Sequence, residues 1–250
     1  IRHSLTKMSH LHFTSTESYR GRVIQLGEAP DRVFNVGALG VDNIQRLPLL
    51  GKADLQSALG VELGARSLLV TFHPVTLAPG RAEVDFQTLL DVLNGLDEVT
   101  LVFTKANADP EGRIINNMID EYVASHSAAV THTSLGQVTY LSALKYVSGV
   151  AGNSSSGIIE APSFKIGTVN IGDRQQGRVK ATSVIDCQST QDDLRSAFIT
   201  LFSEKFQQHL SSVVNPHGSG DVARQIVDVL RETPLADLVR KKFYDLSLTQ

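Results

Sequence analysis

Val150-Ala151-Gly152-Asn153-Ser154-Ser155-Ser156-Gly157-Ile158-Ile159-Glu160 is the stretch from which the rest of the chain is read. The run from Lys145 to Ala151 predicts a buried strand, and the serines predict a polar loop that opens a helix. A glycine–serine loop feeding a helix N-terminus is a ready anion site, because free N–H groups point outward and the helix dipole favours negative charge there. Ser154, Ser155 and Ser156 add hydroxyl donors, and Gly152 and Gly157 let a backbone approach closely. Glu160 is expected about one turn inside the helix, too deep to cap it. A carboxylate beside a phosphate site commonly accepts from sugar hydroxyls, as in dinucleotide folds. The stretch reads as a nucleotide-sugar site. On the loop alone, a plain N-capping serine on a structural helix accounts for the residues equally well, since short Gly–Ser motifs are common.

Outward from this loop, strands and helices alternate. Strands are expected at Leu11–Thr14, Arg32–Val36, Ser67–Phe72, Val99–Phe103, Ala128–Thr131 and Gly167–Ile171, with an edge strand at Ala181–Asp186. Helices are expected at Ile1–Ser9, from Thr16 to Leu26, and at Asp54–Leu59, Glu83–Leu96, Gly112–Ala124, Val138–Tyr146, Asp192–Phe206, Asp221–Leu230 and Pro234–Tyr244. Gly37–Asp42 is glycine-rich and is expected as a hinge between domains. Such alternation argues for an α/β fold with a parallel sheet covered on both faces. Continuous Val/Leu/Phe runs in the strands agree with burial on both sides. In such sheets ligands bind at the carboxyl ends of the strands. His73, Asn107, the Ser154 loop and Arg174 all fall at such ends.

Of the 250 residues, 42% are hydrophobic and 20% charged, with net charge −3, which is an ordinary globular composition. Charge this near neutral gives no push toward nucleic acid or membrane as partner. The single Cys187 leaves no internal disulfide and no cysteine-rich metal site, and a reducing, cytoplasmic setting is expected. No apolar run reaches membrane-spanning length. The chain opens inside a helical pattern without a methionine and is expected to be part of a longer protein.

His73 follows an apolar strand and precedes Pro74, so position favours a phosphate-binding or acid/base role over a strand-end cap. No pair of the remaining histidines has a metal-ligand setting, so no metal is expected. Arg174 and Arg178 stand in a glycine-flanked loop past a strand end, which suits a diphosphate, a domain partner or a solvated turn alike. Asn107 is weaker, because Asn populates loops anyway. Asp109-Pro110-Glu111-Gly112 reads as a turn and helix start. There is no G-x-x-x-x-G-K-[ST], no G-x-G-x-x-G and no G-x-S-x-G, which argues against a P-loop ATPase, a nicotinamide cofactor and a serine hydrolase.

Taken together, four segments resemble one family: Ile1-Arg2-His3-Ser4-Leu5-Thr6-Lys7-Met8-Ser9-His10, Phe72-His73-Pro74-Val75-Thr76, Gly152–Glu160, and Asn170-Ile171-Gly172-Asp173-Arg174-Gln175-Gln176-Gly177-Arg178. They are similar to the hydrolysing UDP-N-acetylglucosamine 2-epimerases, the type that makes N-acetylmannosamine for sialic-acid-like sugars. The matches run in family order over most of the chain, its C-terminal two-thirds above all.

The resemblance implies a glycosyltransferase-B-like fold with two Rossmann-like domains. Residues 1–36 would end the N-terminal domain, 37–233 would form the UDP-binding doubly wound domain, and 234–250 would be a helix packing back on the first. It implies elimination of UDP across C1–C2 to a 2-acetamidoglucal, then hydration with C2 inverted. By matching positions, Ser154, Ser155, Glu160 and Arg174 would hold UDP, with Glu160 on the ribose. His73 would sit at the diphosphate, Asn107 in the cleft, and the Leu135 backbone at the uracil. Arg2 would be an active-site cation stabilising the departing phosphate. No cofactor or metal is implied, and a homodimer or tetramer is expected.

The family's acidic catalysts would lie upstream of Arg2, so this chain alone is expected to be inactive. Lys165 and Gly167 depart from the family's pattern after Phe164. The feedback-inhibitor residues of mammalian relatives are not matched near Thr133 and Ser134. Three further readings stay open: a UDP-2,4-diacetamido-trideoxyhexose 2-epimerase of a legionaminic acid pathway, a glycosyltransferase of the same fold, and a non-catalytic nucleotide-sugar module.

Overall fold

The computed structural model describes residues 1–75, 80–107, 110–234, 236 and 240–246. Thr76, Ala108-Asp109 and parts of the expected C-terminal helix lie outside the described residues. The elements in chain order are α1 (Arg2–Met8), β1 (His12–Thr14), α2 (Glu17–Gln25), β2 (Val33–Asn35), α3 (Leu39–Arg46), α4 (Lys52–Leu59), β3 (Arg66–Thr71), α5 (Ala82–Asn94), β4 (Val99–Thr104), α6 (Pro110–Ser125) and β5 (Ala129–His132). Then follow α7 (Gly136–Tyr146), β6 (Gly149–Gly152), α8 (Ser156–Ile159), β7 (Gly167–Ile171), β8 (Val184–Cys187), α9 (Gln191–Phe202), α10 (Glu204–Leu210) and α11 (Val222–Glu232).

Two compact units divide the chain, Ile1–Arg46 with Asn215–Gln250 and Leu47–Val214. The division therefore falls at residue 46 rather than 36, and at 214 rather than 233. The cause is local. The glycine-rich stretch expected as a hinge is held inside the first unit, where Ala38 N–H donates to His217 C=O at 2.8 Å. The buried Asp42 carboxylate accepts from the Val222 and Ala223 N–H groups at 2.6 and 2.9 Å, capping α11.

In the first unit β1 and β2 pair in parallel, Phe13 beside Phe34. Glu28 is 2% exposed and meets two lysines and a histidine: Lys7 at 2.8 Å, Lys241 at 2.7 Å and His12 at 2.9 Å. Burial alone would raise this carboxyl, but the hydrogen bonds from Lys241, Lys7 and His12 hold it down at about 2. Lys241 also donates to the carbonyls of Thr6, Lys7 and Ser9, which end α1. The tail expected as a helix over Pro234–Tyr244 is not helical across its described residues 240–246. Tyr244 N–H reaches Gly27 C=O at 2.9 Å instead of a carbonyl one turn back. Contacts far along the chain override the apolar periodicity there.

The second unit carries a six-stranded parallel sheet in the order β5-β4-β3-β6-β7-β8. Side chains alternate between its faces. Leu68, Val70, Leu101, Phe103 and Ala151 pack with Phe86, Leu89, Ile115, Ile119 and Phe198 of α5, α6 and α9. Leu69, Val102 and Val150 face the other way, toward the side where α4 and α7 pack together and bury Leu55, Leu59, Leu141 and Leu144. That double cover explains the unbroken apolar strands.

Several element boundaries differ from expectation. β6 begins at Gly149, because Lys145 and Tyr146 still belong to α7. β8 ends at Cys187, one residue beyond the expected edge strand. The helix expected over Asp192–Phe206 breaks at Ser203, whose hydroxyl accepts from Phe206 N–H and starts α10. α8 has only four residues, so Glu160 closes it rather than lying inside it, and a 3-10 turn over Ala161–Phe164 follows.

The chain moves outward one way through β3, β4 and β5, then the other way through β6, β7 and β8. Connections leaving β3 and β6 therefore diverge, and a crevice opens at their carboxyl ends.

Candidate functional site: the tips of β3, β6 and β7

The site grows from the register between the two central strands. Thr71 pairs with Gly152, the last residue of each ladder. Gly152 has φ +129°, and a Cβ there would run into the Thr71 carbonyl oxygen. Only glycine lets the strands stay this close while the chain turns. Asn153 extends the ladder by one bond, its N–H donating to Thr71 C=O at 3.1 Å.

The next residues, Ser154 and Ser155, lead into α8. The N–H groups of Ser154, Ser155 and Gly157 donate to no acceptor among the described residues. They remain open to an anion at the switch point. Gly157 packs against β7, where a Cβ would lie 2.6 Å from Thr168 Cγ2.

His73 stands two residues past β3. Its N–H donates to Asn153 Oδ1 and its C=O accepts from Asn153 Nδ2, both at 2.8 Å. Arg174, in the loop after β7, donates from Nη1 to the Asn153 carbonyl at 2.9 Å. Gln175 Nε2 donates to the same oxygen at 2.7 Å. Burial lowers the Arg174 pKa, and the nearby Arg178 lowers it further. An exposed guanidinium held by a neutral carbonyl and repelled by Arg178 gains from an added anion. His73, Ser154, Ser155 and Arg174 are thereby drawn together around one residue.

Glu160 forms a second cluster with Tyr140 of α7 and Ser156. Glu160 Oε2, the Tyr140 hydroxyl and Ser156 Oγ are each buried without a hydrogen-bond partner among the described residues. Ser156 stands close enough to bias the ionisation of both neighbours without closing a well-formed bond to either. Burial raises the Glu160 carboxyl, with Ser156 opposing. Burial likewise pushes the Tyr140 hydroxyl up to about 12, opposed by Ser156 and reinforced by Glu160. Three unpaired polar atoms in one place cost free energy that a polyhydroxylated ligand can recover.

Leu135 precedes α7, and Asn107 is exposed three residues past β4. No hydrogen bond joins Asn107 to the loop residues among the described residues. Arg2 lies exposed in α1 of the other unit. Sequence reasoning missed Asn153, Gln175 and Tyr140 as working parts. Asn153 and Gln175 carry one weak signal, a polar residue directly beside a predicted site residue. Tyr140 carries none, since a tyrosine in an amphipathic helix reads as packing. Among the described residues no cluster of three or more His, Cys, Asp or Glu could hold a metal, and no helix is long and apolar enough to cross a membrane.

A family model described as UDP-N-acetylglucosamine 2-epimerase matches residues 1–231, taking in the opening segment and stopping short of the tail. A Campylobacter jejuni protein named GDP/UDP-N,N'-diacetylbacillosamine 2-epimerase (hydrolyzing) is 42% identical over 98% of this chain and 64% of its own. The Escherichia coli polysialic acid biosynthesis protein P7 is 37% identical over 98% of this chain and 63% of its own. The chain thus spans a little under two thirds of the curated relatives it matches. The crystal structure of UDP-GlcNAc 2-epimerase from Neisseria meningitidis bound to UDP-GlcNAc superposes with TM-score 0.78 at 16% identity, covering 91% of this chain and 63% of that one. That likeness fixes the fold as α/β with parallel sheets, of the glycosyltransferase-B-like kind. On the family match over residues 1–231, the chain belongs to the UDP-N-acetylglucosamine 2-epimerase family.

Proposed function

We propose that this chain binds the UDP part of a 2-acetamido sugar nucleotide and serves a hydrolysing 2-epimerase. The observation that carries the reading is the switch-point loop, where unspent N–H groups and Arg174 gather at Asn153, and the short helix that follows is closed by Glu160, whose Oε2 is buried without a partner. The amides and Arg174 take the diphosphate, with Ser154 and Ser155 adding hydroxyl donors. Glu160 accepts from the ribose hydroxyls, which supply the donors its Oε2 lacks. His73 stands at the diphosphate, Leu135 offers its backbone to the uracil, and Asn107 adds a contact from the β4 tip.

The reaction is elimination followed by hydration. A base removes the C2 proton, UDP leaves from C1, and a 2-acetamidoglucal forms. Water then adds across the double bond with C2 inverted. Net charge builds on the leaving diphosphate, where cationic and N–H donors lower the barrier. Nucleotide binding is the part of the reaction that the switch-point loop supplies.

For the sugar, the 42% identical relative's name favours a UDP-2,4-diacetamido-trideoxyhexose over UDP-N-acetylglucosamine. The N-acetylmannosamine reading keeps support from the family description and from the Neisseria structure's bound UDP-GlcNAc.

Calorimetric titration of UDP into wild type and Ser155→Ala tests the cradle. Losing one hydrogen bond to a charged acceptor costs about 1–2 kcal/mol, a rise in Kd of about 5- to 30-fold. Equal affinity in both removes the site assignment. NMR identification of products from both UDP-sugars decides the substrate. Release of free UDP and the 2-inverted sugar without an acceptor separates epimerisation from glycosyl transfer.

A further inference from the structure

We propose that Asn153 is the positioning residue of this site, fixing the His73 backbone against the Arg174 loop so that both meet the diphosphate together. The proposal rests on the UDP reading above and goes beyond it, because that reading gives Asn153 no part.

His73 lies past the end of β3, where ladder bonds have stopped. Pro74 follows and has no N–H to donate. Within this three-residue exit, the N–H and C=O of His73 both go to a single side chain, Asn153, at 2.8 Å each. The pairing needs a donor and an acceptor side by side. Asparagine supplies both, whereas an ionised aspartate would set a second acceptor against the His73 carbonyl.

The remaining polar groups of Asn153 are also committed. Its N–H holds Thr71 C=O, and its carbonyl takes both Arg174 Nη1 and Gln175 Nε2. The residue is 1% exposed, so these bonds face no competing water. One buried side chain and its own peptide thus tie together the tips of β3, β6 and β7. Any shift of Asn153 displaces a histidine on one side and an arginine on the other.

A structural filler would lower stability and weaken every ligand alike. A positioning residue weakens only ligands that reach the diphosphate. The probes are therefore uridine and UDP, titrated into the 250-residue chain as wild type, Asn153→Ala, His73→Ala and the double variant. The expected result is a fall of about tenfold in UDP affinity for each single variant, with uridine affinity held within about twofold. The double variant should lose no more than about twofold beyond either single one, because both substitutions disable the same contact. Unchanged UDP affinity in Asn153→Ala overturns the proposal, as does an equal fall for uridine or a double loss near a hundredfold. Wild type binding UDP no better than uridine defeats the UDP reading itself and takes this proposal with it.

Should Asn153→Ala fail to fold, the wild-type chain still decides. Under saturating UDP the Asn153 side-chain amide and the His73 backbone amide should shift together in the NMR spectrum. Under uridine they should stay in place. Absence of the UDP-dependent shift overturns the assignment.

Discussion

Glu160→Gln is expected to stabilise the protein while weakening its hold on UDP. In the unliganded chain Glu160 Oε2 is buried with no donor, beside the equally unpaired Tyr140 hydroxyl and Ser156 Oγ. A buried polar atom left without a partner costs about 1–3 kcal/mol, more when charged. Glutamine keeps the size, removes the charge and brings an N–H₂ group that Tyr140 and Ser156 can accept from. A gain of about 1–2 kcal/mol at pH 8 follows, and for a unit of this size that is about 2–8 °C in Tm. The pH dependence has a definite sign. Burial raises the folded-state pKa of Glu160 above its ordinary value of 4.5. Below that value both states are protonated and the carboxyl carries no penalty. As pH rises through the raised folded pKa the native state must ionise a buried group, and stability falls. The Tm gap between variant and wild type should therefore be small at pH 4 and full at pH 8. Thermal melts at both pH values check this. A variant that melts below wild type at pH 8, or a gap that does not shrink in acid, refutes the reasoning. With saturating UDP the order should reverse, because the ribose hydroxyls donate more strongly to a carboxylate than to a neutral amide oxygen.

Gly152→Ala should cost about 4 kcal/mol or more, since its Cβ meets the Thr71 carbonyl and φ +129° strains any side chain; a normal urea midpoint would contradict the close approach. Glu28→Gln should destabilise by about 3 kcal/mol at pH 7 by breaking a buried ion cluster. The Glu28 carboxyl titrates at about 2 instead of 4.5, so its contribution is present above pH 4.5 and is lost as pH falls toward 2. Urea titrations should accordingly show the two proteins converging in acid. Arg174→Ala should weaken UDP about 10- to 100-fold through a lost charge-assisted contact, and it should flatten the salt dependence of binding. An unaltered salt slope would place Arg174 away from the phosphates.

The sheet was legible because its strands are buried on both faces. Leu68 to Val70 and Leu101 to Phe103 leave no doubt between strand and exposed loop, and β3–β7 fall close to where the apolar runs lie. The candidate anion loop followed from the Gly–Ser residues after one such run, whereas the strand order that makes it a switch point did not. What local pattern could not carry was any feature set by partners far along the chain. The hinge expected at Gly37–Asp42 fails because Asp42 caps α11, 180 residues on. The C-terminal helix fails because Lys241 and Tyr244 find the α1 carbonyls and Gly27. Within the site, Ser154, Ser155, Glu160 and Arg174 announce themselves by residue type. Asn153 does not, since nothing local says that its amide reaches His73, 80 residues back. Tyr140 is invisible for the same reason.

The discontinuous make-up of the first unit orders events during synthesis. The second unit, Leu47–Val214, is one unbroken segment, so its sheet can close as soon as that segment has left the ribosome. The first unit has to wait. Until residue 241 emerges, the Glu28 carboxylate has Lys7 and His12 but lacks its second lysine. A nascent chain halted short of that lysine should carry a protease-resistant second unit and a first unit still open to proteases.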